Sequence, residues 1–413
     1  MNIVGFSDEV TLGHHGVLSL DNDAVVLRAT VPRITGIKND QGRDDAISML
    51  YWRGTVYDTY QNGRWERSRT RRDKTILSEP FHDGLGNRTY VITSPEAPMA
   101  ESPHKALGRA AAQLAAQLKE YDEQEIRVVG LSHPIAFALD QPMAFKMPPA
   151  QTGSWNTTHP DARFSGEVGL QVRRGLQRNS IGEFTGARYF AYSRDPMTRP
   201  LLRPGKPLSD FEPGELTNYL HVSSSLSPKV RELVAGLTEG KVAPLTKVRA
   251  IVDWLQQTHT YTTDLKRDTR IKDPLEDFIF TQKAGHCEYF ASATAVMLRL
   301  AGVPSRYVNG FLGGEWNDLS QHITIRDNRA HSWVEAYLGT LGWVRVDATP
   351  VGAAPSRMGR LRQIFDSVEL FWSRWVIDYD ASRQIDLAKK LGVSYDRVEA
   401  LGHSLHEFNP MLG

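Results

Sequence analysis

The only cysteine in this 413-residue chain stands at the start of a pattern typical of a buried helix. Gly285 lies two positions before Cys287, and the residues that follow are rich in Ala, Leu and Met until Gly302 and Pro304 end the pattern. At a helix N-terminus, unpaired backbone N–H groups and the positive end of the helix dipole favour a thiolate. The sequence therefore predicts that the pKa of the Cys287 thiol is lowered by the start of a helix.

A histidine and an aspartate follow the cysteine on two segments that alternate between apolar and polar residues. Residues 330–338 hold His331, and residues 343–348 hold Asp347. Such alternation is typical of strands. The order Cys287, His331, Asp347 supplies a nucleophile, a base and a residue that orients the base.

The spacing of the two strands predicts whether the base and the carboxylate meet. If Tyr337 pairs with Trp343 around a loop of residues 338–342, Asp347 lies on the same face as His331 and diagonal to it. A loop one residue shorter would turn Asp347 to the opposite face. We therefore expect an odd-numbered loop or a bulge, which the two glycines of the loop permit.

A lone cysteine is more often an inert core residue than a nucleophile, and this alternative stays open. If it is a nucleophile, the Cys287 thiolate attacks an amide carbonyl and His331 protonates the departing amine. Asp347 then fixes the imidazole tautomer, and the backbone N–H of Cys287 stabilises the oxyanion. An amine or water resolves the resulting thioester.

Composition narrows the class of protein. Forty per cent hydrophobic residues and nine Trp indicate a folded chain, and a net charge of +1 gives no reason to expect nucleic acid as a partner. We expect no metal and no cofactor, since there is no cysteine cluster and the 13 histidines show no HExxH spacing. A single cysteine cannot form an intramolecular disulfide, so cysteine usage does not report the cellular compartment.

The chain length predicts two or three domains. Residues 1 to about 95 have a strand pattern, as do later short segments, and Pro and Gly are frequent in 195–215. Helical patterns begin at about 216, and a long one with an aromatic stripe covers 361–391. We therefore expect a β-rich N-terminal domain over 1–215, a catalytic core over 216–355 and a helical segment over 356–413.

Asn62-Gly63 gives a strong hairpin signal in the β-rich part, between the strand-like segments 49–57 and 64–67, which we expect to form the two arms. Trp52 and Trp65 lie on either side of it, and we interpret both as core residues of the hairpin, with ligand stacking as the alternative.

No apolar run approaches the roughly 18 to 20 residues that span a bilayer. The first residues have neither a basic region nor an apolar region of a signal peptide. The expectation is a chain that is soluble as given.

Four segments, taken in order, resemble the transglutaminase-like core. They are 285–292 (Gly-His-Cys-Glu-Tyr-Phe-Ala-Ser), 301–306 (Ala-Gly-Val-Pro-Ser-Arg), 330–335 (Ala-His-Ser-Trp-Val-Glu) and 342–350 (Gly-Trp-Val-Arg-Val-Asp-Ala-Thr-Pro). The resemblance implies an α+β fold in which the helix that carries the cysteine packs on an antiparallel sheet. It also implies a papain-like triad of Cys287, His331 and Asp347.

The resemblance implies further site residues. An aromatic side chain upstream of the cysteine commonly supplies a second oxyanion donor in that family, and Tyr261 is the matching position, with simple packing as the alternative. Glu288 and Trp333 are candidate substrate-binding residues.

Two further regions resemble bacterial membrane-anchored transglutaminase-like proteins of the TgpA type. They are 50–65, with its Leu-Tyr-Trp-Arg-Gly and Asn-Gly-Arg-Trp motifs, and 372–379 (Trp-Ser-Arg-Trp-Val-Ile-Asp-Tyr). In those proteins, transmembrane helices precede and follow a periplasmic part. The resemblance implies that this chain corresponds to the periplasmic portion of a protein that is membrane-anchored at full length.

Three functions stay open at this point. The leading hypothesis is a transglutaminase-type acyltransferase that joins a glutamine side chain of a protein or peptide to an amine. The first alternative is a protease or amidase that hydrolyses envelope proteins or peptidoglycan peptides with the same triad. The second is a non-enzymatic module for binding or assembly in the bacterial envelope.

Overall fold

The structure is a computed structural model. It describes residues 9–12, 22–67, 81–82, 88–91, 118, 121–130, 135–147, 162–165, 169–172, 177–178, 184–185, 188–194, 207–210, 216–264, 273–350 and 366. Two predicted features lie mostly outside these residues: the linker at 195–215, and the helical segment at 356–413 with its aromatic stripe. Of that last segment, the structure describes Asp366 alone.

Strands dominate the first half of the described residues. They are β1 (Glu9–Thr11), β2 (Val25–Thr30), β3 (Tyr51–Tyr57), β4 (Thr59–Gln61), β5 (Arg64–Glu66), β6 (Phe81–His82), β7 (Arg88–Val91), β8 (Asp122–Val128), β9 (Ile135–Ala136), β10 (Ala138–Leu139), β11 (Pro142–Met147), β12 (Ala162–Ser165), β13 (Gly169–Val172), β14 (Gln177–Arg178), β15 (Phe184–Thr185) and β16 (Arg188–Ser193). The second half contributes β17 (Thr260–Tyr261), β18 (Ala284–Gly285), β19 (Ser305–Leu312), β20 (Glu315–Asn317), β21 (His322–Arg326), β22 (Ala330–Tyr337) and β23 (Trp343–Val346).

Most of the described α-helices lie in the second half of the chain. The α-helices of the described residues are α1 (Pro32–Thr35), α2 (Asp40–Ser48), α3 (Thr217–Leu220), α4 (Pro228–Thr238), α5 (Pro244–Thr258), α6 (Pro274–Asp277) and α7 (Cys287–Leu300). A π-helical turn, Phe278–Gln282, continues α6, and short 3-10 turns lie at Leu208–Asp210, Asp327–Arg329 and Gly339–Leu341.

The helices α1 and α2 correct the expectation that residues 1 to about 95 form only strands. The residues of α2 are mostly polar and include Gly42, so they lack the apolar stripe by which helices are recognised. The helix is started instead by its N-cap, since the Asn39 side chain accepts a hydrogen bond from the Gln41 N–H.

Two large sheets contain strands from both halves of the chain. The eight-stranded sheet has the order β20-β21-β2-β8-β16-β11-β7-β6, and the five-stranded sheet has the order β10-β3-β19-β22-β23. In the first, β21 pairs with β2; in the second, β19 pairs with β3. The predicted domain boundary at residue 215 stays a prediction, but strand pairing crosses it in both sheets.

The hairpin at Asn62-Gly63 is confirmed, with different arms from those expected. The turn joins the short strands β4 and β5, and both turn residues have positive φ, 50° and 78°. Strand β3 is not an arm of this hairpin, because it pairs with β19 instead. Trp52 and Trp65 are both fully buried, so both are core residues, but Trp52 lies on β3 outside the hairpin and packs in a different apolar cluster from Trp65.

Helix α7 is the centre of the second half. Its residues are buried from Cys287 to Arg299 with the exception of Tyr289, and it packs against β19, β22 and α5. The prediction that a helix begins at the cysteine is confirmed. A Cβ atom at Gly285 would lie 3.0 Å from both the Phe278 ring and the Tyr289 Cβ, so a glycine suits this close approach.

Candidate active site

The Cys287 sulfur lies at the first residue of α7, and the side chain is almost completely buried, at 1% exposure. Burial by itself raises the pKa of the thiol. Hydrogen bonds to His286 and His331, together with the positive charge of both imidazoles, outweigh burial and lower the pKa of Cys287 to about 6. The thiol is therefore largely ionised at neutral pH.

His331 lies near the start of β22 and contacts both other members of the predicted triad. Its Nε2 lies 2.7 Å from the Asp347 Oδ2, and its side chain is also hydrogen-bonded to Cys287. Burial lowers the pKa of the imidazole, but the Asp347 carboxylate and the Cys287 thiolate raise it to about 10 overall. The side chains thus form a thiolate–imidazolium pair backed by a carboxylate.

Asp347 follows the last residue of β23, and three donors hold its carboxylate. Besides His331, the Tyr51 hydroxyl donates to Oδ2 over 2.9 Å, and the Thr349 N–H donates to Oδ1 over 2.9 Å. Burial raises the pKa of this carboxyl, but the charge of His331 and the hydrogen bonds from His331 and Thr349 lower it overall.

The register between β22 and β23 explains why Asp347 faces His331. Tyr337 pairs with Trp343, as the sequence predicts, and Val334 pairs with Val346. Residues 338–342 form a five-residue connection that contains a 3-10 turn. Gly339 and Gly342 both have positive φ in this loop, 64° and 65°, which a glycine adopts without strain.

Tyr261 lies beside the nucleophile. Strand β17 runs parallel to β18, and Tyr261 is in register with Gly285, two residues before Cys287. The side chain is 40% exposed. Burial of the rest of the ring, followed by the negative charges of Cys287 and Asp347, raises the pKa of the phenol, which therefore remains a hydrogen-bond donor.

Glu288 and Trp333 lie in the interior at 3% and 0% exposure, so neither presents surface to a substrate in this structure. Burial raises the pKa of Glu288 to about 7, and the neighbouring His286 opposes this rise. The Trp333 indole stacks behind the His331 imidazole with the ring centroids 6.2 Å apart. Their role in substrate binding stays a prediction.

Two further residues of this site, His286 and Tyr51, are not among those predicted from the sequence. His286 directly precedes Cys287 and is hydrogen-bonded to it, and this adjacency is the signal that was present in the sequence. Tyr51 lies 296 positions before Asp347, and its contact with the carboxylate depends on the pairing of β3 with β19. No local pattern in the sequence reports that pairing.

Residues 231–348 match the family model of the transglutaminase-like superfamily. The chain carries a transglutaminase-like core. Residues 2–163 match a second model, the TgpA N-terminal domain, so the resemblance to proteins of the TgpA type is confirmed.

The chain is similar to parts of longer curated proteins. It is 35% identical over 137 residues to the uncharacterized protein YebA of Bacillus subtilis, a stretch that covers 32% of this chain and 19% of that protein. It is 27% identical over 208 residues to a protein-glutamine gamma-glutamyltransferase of Pseudomonas aeruginosa, covering 43% of this chain and 31% of that protein. The matched stretches thus span less than a third of either relative.

A crystal structure of the periplasmic domain of TgpA from Pseudomonas aeruginosa has the same fold. It matches 84% of this chain and 94% of its own chain, with a TM-score of 0.55 at 20% identity. The same domain bound to ethylmercury matches equally well, with a TM-score of 0.55. The predicted α+β fold, with a transglutaminase-like core and a mainly β N-terminal region, is confirmed.

Within the described ranges, no helix has both the length and the apolarity that a membrane span requires.

Proposed function

We propose that this chain is a thiol acyltransferase of transglutaminase type that uses Cys287, His331 and Asp347 as its catalytic triad. The observation that carries the proposal is the hydrogen-bonded series from the Cys287 thiol through His331 to Asp347, with a thiol pKa of about 6 and an imidazole pKa of about 10. The gamma-glutamyltransferase name of the Pseudomonas aeruginosa relative supports the same reaction.

In the acylation half-reaction, the Cys287 thiolate attacks the carboxamide carbon of a glutamine side chain. The negative charge that develops on the carbonyl oxygen is stabilised by the backbone N–H of Cys287 and by the Tyr261 hydroxyl. His331, protonated in the ion pair, gives its proton to the departing nitrogen, so ammonia leaves and a thioester remains. Asp347 stabilises the imidazolium that begins the step.

In the second half-reaction, a primary amine attacks the thioester carbon. Neutral His331 accepts the proton of the amine, and the C–S bond breaks to return the Cys287 thiolate. The product is an isopeptide-type amide. Water in place of the amine gives a carboxylate, so hydrolysis is the competing outcome of the same intermediate.

The exposed surface of the site residues suggests the side from which a substrate reaches the sulfur. Cys287 and His331 have little exposed surface, whereas Tyr261 is 40% exposed and lies beside the sulfur in register with Gly285. We propose that the glutamine side chain enters past Tyr261. The exposure of Tyr261 to solvent beside the sulfur is the specific observation that keeps hydrolysis as the second candidate function.

The test uses a glutamine-containing peptide, a labelled primary amine and two proteins, the natural chain and Cys287→Ala. We expect amine incorporation by the natural chain and none by Cys287→Ala. His221→Ala, an exposed histidine outside the triad, is the matched control and should retain full activity. Ammonia or peptide release without amine incorporation would mean that the chain is a hydrolase and not a transferase. Incorporation that survives Cys287→Ala would refute the proposal.

We further propose that this chain acts outside the cytoplasm, anchored to a membrane in its full-length form. The support is its fold, shared with the periplasmic domain of TgpA, and its match to the TgpA N-terminal domain. Protease added to spheroplasts should digest the protein before lysis. Protection until lysis would contradict this location.

A further inference from the structure

Strand β3 brings a residue from the TgpA N-terminal domain region to the triad. It pairs with β19, which pairs on its other side with β22, the strand of His331. Tyr51, the first residue of β3, is opposite Leu312. It is outside the segment that matches the transglutaminase-like core and inside the segment that matches the N-terminal domain model.

The Tyr51 hydroxyl contacts the same carboxylate oxygen as the imidazole. It donates to the Asp347 Oδ2 over 2.9 Å, while the His331 Nε2 lies 2.7 Å from that oxygen. A carboxylate oxygen has two lone pairs, so it accepts from both donors at once. The Tyr51 hydroxyl therefore restrains the rotation of the carboxylate that orients the base.

The Tyr51 ring is itself held on several sides. The Trp333 ring meets it edge-on at 5.2 Å between centroids, and the His331 ring meets it at 5.9 Å. The Arg345 guanidinium lies 3.8 Å from the Tyr51 ring centroid and is paired with Asp140, which follows β10. These contacts hold the ring in place, so the hydroxyl stays directed at the Asp347 carboxylate.

We propose that Tyr51 is a positioning residue that acts through Asp347, so that the active site is completed by a strand from outside the transglutaminase-like core. The proposal rests on the proposed function, because it assigns Tyr51 a task in the same triad. Loss of the hydroxyl leaves Oδ2 of Asp347 in contact with His331 alone, so the carboxylate is held less firmly and the imidazole is oriented less precisely.

A double-mutant cycle separates this role from simple packing. The four proteins are the natural chain, Tyr51→Phe, Asp347→Asn and the double variant. We measure kcat and KM for amine incorporation, and the rate of Cys287 alkylation by iodoacetamide at pH 6. A residue that acts only through Asp347 has no effect once the carboxylate is gone.

We expect Tyr51→Phe to lower kcat about tenfold with little change in KM, the loss typical of one hydrogen bond to a charged group. It should also slow alkylation, because fewer thiolate–imidazolium pairs form. In the Asp347→Asn background the same substitution should change either rate less than about twofold. An equal loss in both backgrounds, or no loss in either, would overturn the proposal.

Tyr189→Phe is the matched control. Tyr189 is a fully buried tyrosine of β16, and its hydroxyl contacts the backbone N and O of Phe137, away from the triad. Tyr189→Phe should lower the melting temperature. Its effect on kcat and on the alkylation rate should be the same in the natural and the Asp347→Asn backgrounds. Alkylation needs no amide substrate, so the cycle can be completed even if amine incorporation proves independent of Cys287 and the proposed function fails.

Discussion

At the scale of single residues, the sulfur lies between two imidazoles. His331 belongs to the series that ends at Asp347, while His286 is the N-cap of α7 and is buried at 7% exposure. The hydrogen bond from His286 is the largest contribution that lowers the pKa of the Cys287 thiol. The residue at the start of the helix thus supplies a hydrogen-bonding side chain in addition to the helix dipole.

Substitution of His286 tests this second imidazole. We expect His286→Ala to move the pKa of Cys287 upward from about 6, towards the ordinary thiol value of about 8.5. The measurement is the pH dependence of Cys287 alkylation, with His221→Ala as control. An unchanged inflection would mean that His331 alone holds the thiolate.

At the scale of secondary-structure elements, the close approach of β3 to β19 depends on Gly310. This residue is opposite His331 in β22, and the pairing of β3 with β19 shifts between Asn309 and Gly310. A Cβ atom at position 310 would lie 2.0 Å from the Trp52 carbonyl oxygen and 2.6 Å from the Trp333 ring. Any side chain here must move a backbone strand.

Gly310→Ala should therefore destabilise the chain by at least about 3 kcal/mol, above the usual cost of overpacking because the clash is with backbone. Gly236→Ala is the matched control, since no atom lies within 4 Å of its built Cβ and it is part of helix α4. That change should stabilise by about 0.5–1 kcal/mol. Urea denaturation compares the two, and equal stabilities would contradict the structure at β3.

Local patterns predict the elements around the triad well. The helix start at Cys287 and the pairing of Tyr337 with Trp343 both follow from short-range signals, namely a glycine, a helical composition and an alternating pattern. The pairing of β3 with β19 joins residues about 250 positions apart, and hydrophobic alternation does not specify a partner strand. The contact of Tyr51 with Asp347 could not be predicted for that reason.

At the scale of the whole molecule, buried charges join the two halves of the chain. Glu335 of β22 accepts hydrogen bonds from Arg53 of β3 over 2.8 Å and from Arg306 of β19 over 2.6 Å. All three side chains are less than a tenth exposed. Burial raises the pKa of Glu335, but the two guanidinium groups lower it to about 2 overall.

The sign of the pH dependence follows from this lowered pKa. The carboxylate contributes its full stability above the unfolded value of about 4.3, and this contribution is lost as the pH falls through the folded value of about 2. We expect Glu335→Gln to cost about 3–5 kcal/mol at pH 7, because it leaves buried guanidinium groups without their carboxylate. The variant should also lose less stability than the natural chain between pH 4.3 and 2.

The control for Glu335 is a surface ion pair. Asp318 is 61% exposed and lies 3.2 Å from Arg43. Asp318→Asn should change the free energy of unfolding by less than about 1 kcal/mol. If the two substitutions cost the same at pH 7, Glu335 does not hold the halves together.

The most direct test of the central claim is the rate of Cys287 alkylation by iodoacetamide between pH 4 and pH 11. Thiolate formation is predicted to give an inflection near pH 6. His331→Ala should move that inflection up towards about pH 8.5, the value of an ordinary thiol. A natural chain that already titrates near pH 8.5, or whose thiol does not react at any pH, would contradict the account.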